Sequence, residues 1–144
     1  MPLAPFLLHP MVVHFPIAFL LGGFGAHVAG SFTRERAWLR DAEAALLWIG
    51  TACLWLTLGL GLLAESTAPH VPAAWKILRD HKLFAFSSAF MFTGLSLWRW
   101  RWPLGRSLSA FSLMWALSAG LLMATSHHGA RLVFEFGMGV RRSL

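Results

Sequence analysis

Residues 9–19 read HPMVVHFPIAF and lead directly into a longer apolar segment. Two histidines and two prolines therefore stand where the chain enters this segment. Pro10 suits the first turn of a helix, where its missing N–H costs nothing. Pro16 lies inside the helix, where it removes a backbone hydrogen bond and bends the chain. The stretch predicts a bent helix that presents His14 to its neighbours, with His9 at the surface.

The composition is that of a membrane protein. Of 144 residues, 57% are hydrophobic and 12% are charged, and the mean hydropathy is +0.61, whereas soluble domains are about a quarter charged. The 8 Trp and 12 Phe suit a lipid-facing surface with aromatic anchors at its interfaces. The basic residues behind the net charge of +6 stand beside tryptophans at the ends of apolar runs, where they would meet lipid phosphates. The lipid bilayer is the expected partner, and nucleic acid is not.

Four apolar runs predict transmembrane helices, each close to the roughly 20 residues that cross a bilayer. We expect these helices at about residues 11–32, 42–64, 82–101 and 106–126. Short connections make consecutive helices antiparallel neighbours. The predicted fold class is therefore all-α, an integral membrane four-helix bundle with up-down-up-down topology, in a single domain over residues 1–144. The tail after Ser126 mixes apolar and charged residues and predicts an interfacial segment.

The flanking charges predict the topology. No basic residue precedes the first apolar run, so we expect no cleaved signal peptide. The arginines of the two short connections lie closest to the helix ends, and the positive-inside rule places those connections in the cytoplasm. A multi-pass protein with periplasmic termini is expected.

Six of the seven histidines fall at one face of this predicted bundle. They are His9, His14, His70, His81, His127 and His128. Only His27 lies elsewhere, about 20 Å further along the first helix. Polar groups at membrane depth usually face a bundle interior or a pathway, so the cluster predicts a functional site. His70 lies in a loop between prolines and is expected to be exposed.

Three of these histidines are predicted to face the bundle interior. His14 lies more than one turn inside the first helix, and His81 starts the third. His127 shares a face with small residues of the fourth helix, whereas His128 is turned about 100° away. The predicted cofactor ligands are therefore His14, His81 and His127, with His9 and His128 as further candidates. The first three are also the ligands expected for copper or zinc.

The two ends of the chain carry motifs that resemble those of a largely uncharacterised bacterial family of small four-helix membrane proteins. The opening HPMVVHFPIAF fits the family pattern HPxxVHFPIA, and the closing motif is HHGARLVFEFGMGV, residues 127–140. The matching positions are His9, Pro10, His14, Phe15 and Pro16, then Gly129, Leu132, Val133, Gly137, Gly139 and Val140. Where many relatives have Tyr and His near the end, this chain has Phe134 and Phe136, so the adjacent histidine pair could serve instead. Some relatives are joined to a Rieske iron-sulfur domain, and the resemblance implies membrane electron transfer in the bacterial inner membrane.

Imidazoles that converge from several helices suit haem b. Haem iron takes two opposed histidines, within a slot of apolar and small side chains. The lone Cys53 excludes the covalent CxxCH attachment, so the haem would be noncovalent. The predicted function is a membrane-embedded b-type haem protein in electron transfer, with one haem or two. The expected partners are a redox protein or quinone, or a larger respiratory or photosynthetic complex.

Two alternatives stay open. Met11 and Met123 lie one turn before His14 and His127, and thioether with imidazole suits copper(I), whereas Glu65 would suit zinc or a proton path. The second alternative is a cofactor-free accessory subunit of a membrane complex. The sequence shows no Ser-His-Asp arrangement and no glycine-rich phosphate loop, so an electron carrier or subunit is favoured over a stand-alone enzyme.

Overall fold

The computed structural model describes residues 5–33, 37–68, 71–102 and 108–138. These residues form helices and short turns, without strands in the described ranges. The elements are a 3₁₀ turn Pro5–Leu7, α1 (Leu8–Val12), α2 (His14–Phe32), α3 (Ala37–Thr67), a 3₁₀ turn Pro72–Ala74, α4 (Trp75–Arg101) and α5 (Leu108–Phe134). The predicted all-α bundle is confirmed.

The first helix is interrupted at Val13, which separates α1 from α2. Pro16 has no N–H to donate to the carbonyl of Val12, so the helical pattern weakens three residues before the proline. Val13 N still donates to the carbonyl of His9 over 3.1 Å. The chain therefore continues as one nearly unbroken rod from Leu8 to Phe32 that carries a local irregularity beside the histidines.

Consecutive helices pack antiparallel. The end of α2 lies beside the start of α3, and the end of α4 lies beside the start of α5, as shown by the contact of Trp98 with Phe111 at 5.9 Å between ring centroids. Trp115 of α5 donates its indole N–H to the carbonyl of Leu20 in α2 over 3.2 Å. The bundle thus closes on itself around a fully buried centre of Leu20, Leu47, Phe92, Phe111 and Trp115.

The outer surface is apolar as well. Phe32, Phe90 and Leu113 are among many large apolar side chains that are exposed, as expected of a surface that faces lipid. In the described part of the chain, Leu8–Phe32 and Ala37–Thr67 are long and apolar enough to cross a membrane. That α4 and α5 also span the membrane stays a prediction.

Helices α4 and α5 run longer than predicted. Helix α4 begins at Trp75, so His81 lies almost two turns inside it. Helix α5 continues to Phe134, and the predicted interfacial tail is in part the last two turns of this helix. Both His127 and His128 consequently lie within a helix whose orientation is fixed by packing.

The two halves of the bundle repeat one arrangement. One hairpin consists of α1, α2 and α3, and the other consists of α4 and α5. At a constant offset in sequence, Pro16, Leu20, Gly23 and His27 of α2 correspond to Ser88, Phe92, Leu95 and Arg99 of α4, and all but the partly exposed Arg99 are buried. At a second constant offset, Leu47, Gly50, Thr51, Leu54 and Thr57 of α3 correspond to Trp115, Ser118, Ala119, Leu122 and Thr125 of α5, all buried. The hairpins therefore share the same inward stripes.

Replacing Gly50 with alanine is expected to destabilise the bundle. A Cβ at Gly50 would lie 2.7 Å from Cγ and Cδ2 of Leu20, which is fully buried. Overpacking of this kind lowers the free energy of unfolding by about 1–3 kcal/mol. Denaturation in detergent micelles, followed by circular dichroism, measures the change.

The matched control is Gly59→Ala in the same helix, where nothing lies within 4 Å of the added Cβ. The free energy of unfolding of that variant is expected to equal the wild-type value or to exceed it by up to about 1 kcal/mol, because alanine is the better helix former. Equal stability of the two variants would contradict a tight approach of α2 to α3.

Candidate functional site

His9 reaches from α1 to the backbone of α3. Its Nδ1 lies 2.9 Å from the carbonyl oxygen of Thr57, and because a carbonyl only accepts, Nδ1 carries the proton. In the neutral ring Nε2 then holds the lone pair that can bind a metal. The ring rests on Gly61, where a Cβ would lie only 3.0 Å from the imidazole Cε1. The glycine lets the imidazole approach the helix backbone.

His81 repeats this arrangement between α4 and α5. Its Nδ1 lies 2.9 Å from the carbonyl oxygen of Thr125, and a Cβ at Gly129 would lie 3.2 Å from its Cε1. In both hairpins the accepting carbonyl belongs to a threonine one helical turn before the glycine. His81 is therefore also held as the Nδ1–H tautomer, with its Nε2 lone pair available.

The two imidazoles line one cavity. Their ring centroids are 6.4 Å apart and their planes are nearly perpendicular, at 82°. The cavity has a volume of about 120 Å³, and apolar side chains such as Phe6, Leu58 and Phe86 supply most of its walls. The arrangement places two neutral nitrogen ligands in an apolar slot where four helices meet.

A second, larger cavity of about 410 Å³ adjoins the first and is lined by Trp75, Arg79, Lys82 and Glu65, with several apolar residues. Lys82 Nζ lies 2.7 and 3.1 Å from the two carboxylate oxygens of Glu65. Both side chains are partly exposed. We call this second cavity the charged mouth. It lies at the end of the bundle where α3 is followed by α4.

The prediction that His14 and His127 face the bundle interior is wrong, because both are exposed. His14 precedes the inward stripe of α2 by two residues at Pro16, and His127 follows Thr125 of the α5 stripe by two. Two residues correspond to about 200° around a helix, so both side chains point outward.

The remaining predicted residues are more peripheral. His128 is partly buried, with its Nδ1 2.9 Å from the carbonyl oxygen of Ala124 and its ring 5.1 Å from that of Phe84. The His127 ring lies 5.7 Å from the His128 ring. His70 lies outside the described residues, as do Gly139 and Val140 of the closing motif. The structure thus brings together His9 and His81 and leaves the other predicted ligands outside the cavity.

The two imidazoles suit a metal ion whose other ligands belong to a cofactor. Across residues 5–33, 37–68, 71–102 and 108–138, no three His, Cys, Asp or Glu side chains are grouped to hold a metal ion. Met11 and Met123, which would support copper, are 59% and 53% exposed. Two imidazoles without further protein ligands are a donor set that haem iron can take, since its other four donors belong to the porphyrin.

A second polar cluster lies at the other end of the bundle and was missed from the sequence. Glu43 of α3 is fully buried, with its Oε1 3.4 Å from Nε of Arg99 in α4 and 3.7 Å from Nδ1 of His27 in α2. His27 Nε2 lies 2.7 Å from Oγ of Ser112 in α5. Four helices each contribute one member. The signal in the sequence was that Glu43 lies one helical turn before the buried Leu47, on the same face of α3.

Comparison with known proteins identifies a family but no chemistry. The model of the family described as "Predicted membrane protein (DUF2231)" matches residues 5–142. No curated protein and no solved structure matches the chain significantly. The predicted resemblance to a family of membrane proteins is confirmed at this level, while the shared opening motif and the Rieske link stay predictions.

Removing the charge of Glu43 is expected to destabilise the protein. Glu43→Gln leaves the Arg99 guanidinium, whose side chain is 15% exposed, without its counter-charge. Breaking one side of a buried ion pair costs roughly 3 kcal/mol. Denaturation in detergent, followed by tryptophan fluorescence, measures this loss.

Glu135→Gln is the matched control. Glu135 pairs with Arg131 at the surface over 2.7 Å, and this hydrogen bond lowers the pKa of the Glu135 carboxyl. Water screens an exposed pair, so its loss is expected to leave the stability close to that of the wild type. A Glu43 variant as stable as this control would show that the buried cluster does not hold the four helices together.

Proposed function

The chain belongs to the DUF2231 family of predicted membrane proteins, and from that premise we propose that it is a b-type haem protein that takes part in electron transfer. His9 and His81 would hold the haem iron. One observation carries the proposal: two imidazoles, each fixed through Nδ1, stand 6.4 Å apart across an apolar cavity.

The spacing of the rings fits ligation of one metal from opposite sides. With a zinc–imidazole bond of about 2.0–2.1 Å as a guide, and each ring centre about 1.1 Å beyond its nitrogen, two opposed imidazoles have centroids roughly 6.3 Å apart. The separation of His9 and His81 is 6.4 Å. Their perpendicular planes are compatible with such a site, since each ring can turn about its bond to the metal.

The surroundings of the two histidines tune them as ligands. Each Nδ1–H donates to a main-chain carbonyl, which fixes the tautomer and makes Nε2 more basic. Apolar side chains supply most of the walls around the two rings. Haem iron held in this way supplies one-electron oxidation and reduction. Held by two histidines, the haem would supply electron transfer rather than oxygen chemistry.

The internal repeat favours one haem rather than two. Each hairpin contributes one histidine, one carbonyl and one glycine, which suits a planar group with two equivalent faces. At the other end of the bundle, the position of His27 in the first hairpin is occupied by Arg99 in the second. A second pair of histidine ligands is therefore not formed among the described residues.

The location of the site suggests its partners. His9 and His81 lie at the end of the bundle that carries the N-terminus, which the charge distribution predicts to be periplasmic. In the bacterial inner membrane, a redox protein or a quinone could approach the haem from this side. A place in a respiratory or photosynthetic complex belongs to the same proposal.

Alanine at either ligand is expected to abolish haem binding. Wild-type protein purified in detergent from haem-replete cells should give a low-spin b-type spectrum, with one haem per chain by the pyridine haemochrome assay. His9→Ala and His81→Ala should each lose this spectrum, whereas His14→Ala and His127→Ala should keep it, because those side chains are exposed. A colourless wild type would refute the proposal, and elemental analysis would then separate a copper or zinc site from a cofactor-free subunit.

The two glycines beneath the imidazoles are expected to matter equally. Gly61→Ala and Gly129→Ala place a Cβ 3.0 and 3.2 Å from Cε1 of His9 and His81, which pushes each ring off its carbonyl. Loss of such an outer-shell contact weakens metal binding by about 10- to 100-fold, measurable by haem titration. Gly120→Ala, with nothing within 4 Å of the new Cβ, should bind like the wild type. Unchanged affinity in both variants would contradict the assigned ligands.

A further inference from the structure

We infer that the charged mouth of the cavity is a carboxylate subsite, in which Lys82 and Arg79 bind the propionates of the tetrapyrrole. The inference rests on the proposed function and adds the orientation of the cofactor. It also specifies the chemical class: a tetrapyrrole with free carboxylates along one edge.

The two cavities are neighbours and differ in their charged lining residues. They share Glu65, Ala68, Leu78, Lys82 and Met138 in their walls. The smaller cavity contains the imidazoles and has mostly apolar walls apart from Glu65 and Lys82, whereas the larger one adds Arg79 and Trp75. A flat ring with an apolar body and an anionic edge matches this division.

Lys82 is placed to bind such an edge, because it follows His81 directly in α4 and lines both cavities. Its present partner is Glu65, at 2.7 and 3.1 Å. The Lys82 and Glu65 side chains are 40% and 34% exposed, and a pair so exposed to water contributes little to stability. Replacing Glu65 with another carboxylate as the partner of Lys82 therefore costs little free energy.

Arg79 lies almost one turn before Lys82 on α4 and lines the larger cavity. Its Nε is 3.9 Å from Oδ1 of Asp80, whose other oxygen already accepts from Lys76 at 3.1 Å. The Arg79 side chain is 77% exposed, so it can turn towards the cavity. Its planar fork of N–H groups matches a carboxylate.

The test compares haem with haem dimethyl ester, in which both propionates are blocked. Protein from haem-starved cells is titrated in detergent with each compound, and the Soret absorption is followed. Wild type is expected to bind haem at least about tenfold more tightly than the ester, because charge-assisted hydrogen bonds are lost on esterification. Lys82→Met should lose most of this preference while its affinity for the ester stays at the wild-type value.

Lys76→Met is the matched control, since Lys76 is an exposed lysine of the same helix and is paired with Asp80. It should keep the wild-type preference. Glu65→Gln provides a second variant: it releases Lys82 from its competitor and should increase the preference for haem.

Three outcomes would overturn the inference. Equal binding of haem and ester by the wild type would show that the mouth does not bind the propionates, while the histidine ligation would stand. An undiminished preference in Lys82→Met would also refute the subsite. Failure of the wild type to bind either compound would refute the proposed function itself.

Discussion

Two hydrogen bonds set the functional end of this bundle, from His9 to the carbonyl of Thr57 and from His81 to that of Thr125. Each imidazole lies so close to the neighbouring helix that a Cβ one turn after the accepting threonine would be only 3.0 or 3.2 Å from its Cε1. Each hairpin supplies a glycine at that place, and so lets two rings enter a space otherwise filled by side chains. Because Nδ1–H is committed to the carbonyl, each ring keeps one lone pair on Nε2, and under the proposed function these two lone pairs would bind the haem iron.

The same device occurs twice because the two hairpins share one inward pattern. Buried positions of the first hairpin correspond to buried positions of the second, including the threonine of each site. The residue types of the two hairpins differ at the opposite end of the bundle, where His27 of one hairpin is matched by Arg99 of the other. With Glu43 between them, this end has become an ion-paired tie between helices. The repeat thus combines one symmetric site with one asymmetric polar cluster.

The sequence predicted the bundle well because long apolar runs and short connections leave few alternatives. It predicted poorly which histidines face inward because a membrane helix is apolar on every side, so composition does not distinguish its lipid face from its inward face. His14 and His127 were expected inside, yet the inward stripes pass two residues away from each. His9 was expected at the surface and is drawn into the bundle by a carbonyl of α3. Contacts of this range, between His9 and Thr57 or between His27 and Glu43, depend on the three-dimensional packing of the helices.

The distance between the two polar clusters constrains how electrons could move. His27 lies about 27 Å from His9 along the rod formed by α1 and α2, and the space between is occupied by a fully buried apolar centre that includes Leu20, Phe92 and Trp115. If His9 and His81 hold the proposed haem, electrons would enter and leave at the same membrane face. Transfer across the bilayer would then require a second redox centre on a partner, because the cluster at the far end is built from an ion pair and offers no second histidine. Under the proposed function, the protein would therefore relay electrons between partners at one face and would not conduct them through the membrane alone.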